Sequence, residues 1–340
     1  MKFISSLELK RPQFMESAGK DAPLPASYVI QSFLLLVGIV VILGVNWPIM
    51  KFALDSYTPL WFVSIRFFMG AIIIVVILMA MGRGFRLPPR EDIPVVLSVG
   101  LLQNLTLMGL STVALNVVPA GRCAVLVYTT PIWIVAMQLL FLKERPSAAR
   151  LWALPVSVIG VLFFMYDDLR AVAGGAPLWG YGLLLIAACA WGLSMILVSK
   201  HKWKGGSFDV APWQMLIASL PMAVIAFIWD GSPLGAITFD WNAAWTLSFT
   251  GGLATGFGFW AVVEAGRRYS PETLSNAMML SPVFGLVASM IMTGERVSVP
   301  VLFGAVLILV SIWLAINRQK RGGNTPLKTG KTGGAKPTVV

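Results

Sequence analysis

Apolar residues run along this chain in ten long stretches separated by short polar connections, with no strict alternation of polar and apolar positions. A helix crossing a bilayer needs about 20 mostly apolar residues, whereas the strands of a membrane barrel would alternate. The pattern therefore predicts helical spans near 28–50, 58–81, 92–114, 118–141, 149–166, 178–199, 211–230, 243–265, 271–293 and 297–317. Residues 1–27 are polar and mixed in charge, and read as a cytoplasmic tail. The first run has no small-residue cleavage site after a short apolar core, so a retained span is expected rather than a removed signal peptide. Residues 318–340, RQKRGGNTPLKTGKTGGAKPTVV, lack apolar periodicity and predict a disordered basic cytoplasmic tail.

Composition supports this reading. The chain is 57% hydrophobic and 12% charged, against about 25% charged for a soluble domain. The expected fold class is an all-α integral membrane protein. The net charge of +11 falls in the connections, where it sets topology and does not point to nucleic acid. With the N-terminus cytoplasmic, 21 of the 26 basic residues lie inside, and Lys51, Arg170 and Arg296 lie outside. Both termini are then inside, as expected for a multi-pass protein of the cytoplasmic membrane. Cys123 and Cys189 sit within apolar runs, so neither a disulfide framework nor metal spacing is visible. No cofactor motif is present.

An internal repeat follows from TPIWIVAMQLLFLKERPSAARL at 130–151 and SPVFGLVASMIMTGERVSVPVL at 281–302. Pro131 and Pro282 coincide at a spacing of 151 residues, as do Glu144-Arg145 and Glu295-Arg296. Five predicted spans separate the copies, and an odd number inverts the second copy in the membrane. Two inverted five-helix repeats, at 28–166 and 178–317, are therefore expected. Secondary carriers use this architecture, with substrate held near the midplane between repeats.

The stretch NWPIMKFALDSYTPLWFVSIRFF, with Asn46, Trp47, Lys51, Pro59 and Arg66, resembles the EamA family of the drug/metabolite transporter superfamily. So does the later stretch running through Pro282, Gly294-Glu295 and Gly304. The likeness covers about 28–317. It implies ten helices as five plus five around a central cavity, and export of small metabolites, amino acids among them. Asn46-Trp47-Pro48 departs from the family's usual Trp-Gly and changes the bend expected in span 1.

Within this frame, intramembrane polar groups are the candidates for chemistry. Arg66 lies about 13 Å into span 2 at 1.5 Å per residue, near the midplane. An arginine there should face protein or a water-filled cavity. It suits a substrate carboxylate or phosphate; the alternatives are a structural arginine bonded to helix carbonyls and one that snorkels outward. Arg122 is expected to snorkel to the outer interface, and Lys51 to anchor there. Pro48 frees a carbonyl beside Asn46 and Trp47. Gln103, Asn104, Tyr128, Trp191, Ser194, Gln214, Trp260, Asn276 and Ser281 are further candidates for a substrate path, although amides and hydroxyls also join helices. Trp191 is the expected counterpart of Trp47 in the second repeat. The small residues Gly252, Ala254, Gly256 and Gly258 read as a packing stripe. Pro59, Pro131, Glu144, Pro282 and Glu295 read as structural motif positions. No Asp or Glu lies deep in a span, and Asp167-Asp168 reads as a solvated turn. Proton coupling through a midplane acid is therefore disfavoured, with Glu264 the fallback.

An enzyme would need a metal set, an acid pair or an activated nucleophile, yet the single histidine, His201, sits in the basic loop KHKWKGG. A GxxxxGK[ST] phosphate loop is absent. No pore loop or ring of charge marks a channel. A scaffold or receptor would need a soluble domain or long loop. The expectation is an alternating-access carrier in the lipid bilayer whose partner is a small molecule, amino acids being favoured. Nucleotide-linked sugars or other anionic metabolites, or an uptake direction, are the alternatives.

Overall fold

A computed structural model describes residues 25–141, 148–170, 178–269 and 271–317. Every element among them is helical, apart from one isolated antiparallel bridge between Tyr57 and Ile237. In chain order the elements begin with α1 (Ala26–Ala53) and α2 (Pro59–Ala80). The segment Arg90–Ala114 follows as a 3-10 turn (Arg90–Asp92), α3 (Ile93–Ser98), a π-helical stretch (Val99–Leu107) and α4 (Met108–Ala114). Next come α5 (Ala120–Val127), α6 (Thr130–Leu140), α7 (Ala148–Phe164) and α8 (Tyr166–Arg170). The later part holds α9 (Trp179–Lys200), α10 (Ser207–Asp230), α11 (Pro233–Ala236) and α12 (Trp241–Leu247). A second π-helical stretch (Ser248–Phe257) leads into α13 (Gly258–Arg268), and α14 (Pro271–Met278), α15 (Ser281–Met292) and α16 (Val299–Asn317) close the described chain.

Seven helical segments are long and apolar enough to cross a membrane, and Leu151–Phe164, Ser281–Met292 and Val299–Leu314 are shorter apolar helices. Each of the ten predicted runs overlaps one of these segments, seven of them long enough to span and three shorter. Large apolar side chains such as Leu34, Val76, Ile228 and Val299 face outward, as a hydrocarbon solvent permits.

Two prolines follow helix breaks, whereas Pro48, Pro155, Pro212 and Pro221 lie inside unbroken helices. Proline lacks an N–H and crowds the carbonyl four residues back. Pro131 and Pro282 stand in the first turns of α6 and α15, immediately after breaks at 128–129 and 279–280. The carbonyls near the first break are used locally: Thr129 donates to the Leu126 carbonyl at 2.6 Å and Thr130 to that of Val127 at 2.8 Å. Pro59 opens α2 at a position where its missing N–H costs nothing. Pro48 leaves α1 unbroken. The carbonyl of Gly44, four residues earlier, lies against Gly285 of α15.

Helix pairs meet through small residues. Ser64 of α2 and Ser219 of α10 each donate to the other's carbonyl at 2.9 Å. Gly160 of α7 and Gly304 of α16 let those helices touch backbone to backbone. A Cβ on Gly304 would sit 2.7 Å from the Gly160 carbonyl and collide with the backbone of Phe164. Overpacking of this kind costs about 1–3 kcal/mol. Gly304→Leu should therefore lower the thermal stability of the purified protein clearly. Gly182→Ala, where a Cβ meets nothing within 4 Å, should be neutral or slightly stabilising. Melting both variants in detergent checks the contrast.

Candidate functional site

Arg66 is buried, with 4% of its surface exposed. From α2 its guanidinium donates to Thr255 Oγ1 through Nε at 3.2 Å and Nη2 at 3.0 Å, and to Met50 Sδ through Nη1 at 3.1 Å. The cation also lies over the rings of Phe62 and Phe67, 5.9 and 5.4 Å from their centroids. Met50 Sδ accepts a second bond from Asn46 Nδ2 at 3.1 Å. Asn46, Met50, Arg66 and Thr255 thus join α1, α2 and the second π-helical stretch. Arg66 therefore faces protein, bonded to side chains rather than to helix carbonyls.

The wide turn of that stretch explains Thr255. Its hydroxyl donates at 2.7 Å to the carbonyl of Thr250, five residues back, and keeps its lone pairs for the arginine. Gly251, Gly252 and Gly256 let the stretch lie directly on Arg66, Met69 and Ile73 of α2. The glycine stripe read from sequence is a packing surface, as expected, and it brings Thr255 to the arginine.

Two features of this cluster suit a ligand. Arg66 has five N–H donors, of which three are engaged, and it has no carboxylate partner among the described residues. Asn46 Oδ1 is buried without a hydrogen-bond partner. A buried polar atom left unpaired costs about 1–3 kcal/mol, so the site holds capacity to bind a polar group.

Trp47, Tyr128 and Trp191 pack into one apolar cluster with Met50 and Phe62. Tyr128 stands edge-on to Trp191 at 5.8 Å between centroids, with its hydroxyl beside Ser281. Ser194 Oγ is buried without a hydrogen-bond partner among the described residues. Asn104 donates to the Gln214 carbonyl at 3.2 Å, tying the first π-helical stretch to α10, and Gln103 sits half-buried on the same stretch. Trp260 stands apart, lining a groove on α1 with Phe257. Glu144 and the side chain of Asn276 lie outside the described residues.

Arg122 departs from expectation. It is buried rather than snorkelling outward, because a carboxylate cluster holds it. It pairs with Asp168, lies 3.6 Å from Asp167 and 3.8 Å from Glu295, and donates to the Tyr181 hydroxyl at 3.1 Å. Tyr181 in turn donates to Asp168 at 2.5 Å. The Asp167-Asp168 turn is therefore part of an ion cluster and not simply solvated. Glu295 Oε2 accepts from the Gly121 N–H at 2.9 Å, satisfying a free donor at the start of α5. Burial pushes the Glu295 carboxyl above its ordinary range, against the opposing pull of Gly121 and Arg122. Lys51 donates to the carbonyls of Leu115 and Asn116 just beyond α4, closing a helix end with a cation.

Thr255 and Met50 escaped the sequence reading, since a threonine and a methionine in an apolar helix carry no distinguishing signal. The partners of Arg122 had one: a buried arginine needs a carboxylate, and Glu295 stood in the repeated Glu-Arg motif.

Helices long and apolar enough to cross a membrane surround buried, incompletely paired polar groups, an arrangement that suits a membrane transporter. The chain belongs to the EamA-like transporter family, whose signature matches residues 31–166 and again 178–317. It is 26% identical to the uncharacterized transporter YoaV of Bacillus subtilis over 84% of this chain and 97% of that one. It is 24% identical to an Escherichia coli protein called "Probable amino-acid metabolite efflux pump", over 82% of this chain and 92% of that one. A solved crystal structure at 15% identity shares the fold with a TM-score of 0.56, covering 84% of this chain and 96% of that one.

The ion cluster carries a prediction. An acid whose pKa is raised on folding binds its proton more tightly in the folded state. Its charged form then costs stability as pH rises from near the ordinary value of 4.5 through the folded value. Glu295→Gln should flatten that slope, so wild type loses melting temperature relative to the variant as pH is raised. Arg122→Ala should cost about 3 kcal/mol, because it strands the buried Glu295 carboxylate, while Asp167 and Asp168 keep contact with solvent. Thermal melts in detergent across pH read both effects.

Proposed function

We propose that the protein is a ten-span carrier built from two inverted five-helix repeats, at 28–166 and 178–317, that exports amino acids or closely similar metabolites across the cytoplasmic membrane. Several spacings support the repeat. The helix breaks at 128–129 and 279–280 are 151 residues apart, the spacing of Pro131 and Pro282. The π-helical stretches at 99–107 and 248–257 recur at nearly the same interval. Thr106 and Thr255 occupy matching places in them, and each donates to the carbonyl five residues back. Groups whose spans place them toward the outer side, namely Arg122, Asp168 and Glu295, converge at one end of the bundle, where Tyr181 joins them. That convergence and the basic inner loops support cytoplasmic termini.

The observation that carries the substrate reading is the buried Arg66, which among the described residues has spare donors and no carboxylate, next to the Asn46 oxygen that is unpaired among them. In this pose the substrate carboxylate takes the free N–H groups of Arg66. Its ammonium donates to Asn46 Oδ1, and its apolar part rests among Trp47, Tyr128 and Trp191. The "efflux pump" names of relatives in Escherichia coli and Salmonella typhimurium support the outward direction.

Counterflow into proteoliposomes tests the pose, with labelled amino acids, the matching keto acids and nucleotide sugars as the panel. Arg66→Ala should abolish accumulation of amino acids while leaving the melting profile cooperative. Asn46→Ala should weaken amino acids about tenfold, as loss of a hydrogen bond to a charge predicts, and leave keto acids unchanged. Equal transport by wild type and Arg66→Ala would make the arginine structural and end the proposal. Accumulation of nucleotide sugars alone would shift the substrate class.

A further inference from the structure

The groove beside Trp260 is long, apolar and flanked by a basic corner at one end. It encloses about 420 Å³ between Gln31, Leu34, Leu35, Gly38, Ile39 and Leu43 of α1 and the segment from Phe257 to Ala261. Gln31 is its one uncharged amide, and the rest of its wall is apolar save for the Trp260 indole. From Gln31 to Leu43, α1 rises about 18 Å, close to the depth of one leaflet of a roughly 30 Å core. Leu34, Val37 and Phe257 on or beside its rim are exposed, so it opens toward lipid and not toward the Arg66 cluster. At Gly38, on its floor, a Cβ would meet nothing within 4 Å.

Charge gathers at one end only. Near Gln31, Arg268 donates to Ser32 at 3.5 Å and lies over the Tyr28 ring at 5.4 Å from its centroid. Arg267 is 57% exposed beside it. Both guanidiniums share the single carboxylate of Glu264, at 3.5 and 2.9 Å, so among the described residues this corner keeps an excess positive charge. An apolar channel one leaflet long, ending at an excess cation at the bilayer surface, matches a phospholipid with an anionic headgroup.

We infer that an anionic phospholipid binds here, its acyl chain in the groove between α1 and α13 and its phosphate at Arg267. The site stands independently of the substrate reading, since none of its residues is a hydrogen-bond or ring partner of Arg66. A phosphatidylglycerol with a photoreactive diazirine on its acyl chain is the probe, with the matching phosphatidylcholine beside it. Cross-linking to the intact protein in nanodiscs, mapped by peptide mass spectrometry, should concentrate on 31–43 and 257–261 and favour phosphatidylglycerol. Arg267→Gln should cut that preference about fivefold, as one basic residue at the surface predicts, and Gly38→Trp should abolish labelling of the groove by both lipids. Labelling no denser there than on the exposed face of Val224 to Trp229 would overturn the site. Equal labelling by the two lipids would overturn the headgroup assignment, and displacement of the probe by a transported substrate would make the groove an entry path instead.

Discussion

Hydrocarbon offers no hydrogen bonds, and that one constraint orders the structure. Every backbone group freed by a proline or a widened turn must find a partner inside the protein. The break before Pro131 is tolerable because Thr129 and Thr130 occupy the released carbonyls. The turn around Thr255 is tolerable because its hydroxyl fills the gap to Thr250. Such repairs fix irregular backbone where it can serve a purpose, and π-helical turns recur at functional sites. Here the widened turn presents a hydroxyl to Arg66.

The same constraint separates two uses of charge. Arg122, Glu295, Asp168 and Tyr181 bond to one another at a bundle end, joining α5, α8, α9 and the loop after α15. Buried pairs of this kind add little net stability but penalise any state that separates them. They therefore hold α5, α8, α9 and the loop after α15 together as one unit. Arg66 is different, because hydroxyl, sulfur and aromatic faces solvate it without cancelling its charge. An uncancelled buried cation attracts an anion, which is the electrostatic basis for assigning substrate to it.

Much of this was legible in the chain. The apolar runs located the helices, because length and hydropathy alone decide what can cross a bilayer. Pro131 and Pro282 marked both broken helices, because proline acts on its own backbone. Arg66 drew attention since an arginine in such a run has few tolerable environments. What stayed hidden depends on partners distant in sequence. Arg122, five residues into its span, looked close enough to the surface to snorkel; the acids that bury it come from 46 and 173 residues further along. Widened turns at 99–107 and 248–257 have no local signature beyond small residues and a threonine. Asn46 and Trp47 were chosen together, yet one faces the arginine and the other the aromatic core, because neighbouring positions on a helix point about 100° apart.

Repeats explain the backbone better than they explain the charges. Matched breaks and widened turns lie about 150 residues apart, so two related halves can share one plan. Ser64 and Ser219 exchange equivalent bonds across α2 and α10. At the same offset as those serines, the counterpart of Arg66 is Pro221, and at the proline spacing the counterpart of Arg122 is Thr273. Each buried arginine is thus confined to the first half. A symmetric frame can rock between two equivalent shapes, but a binding charge needs only one copy. A second buried cation would repel the first and bring its own desolvation cost. Symmetry in backbone with asymmetry in charge is consistent with the proposed single substrate site between two halves.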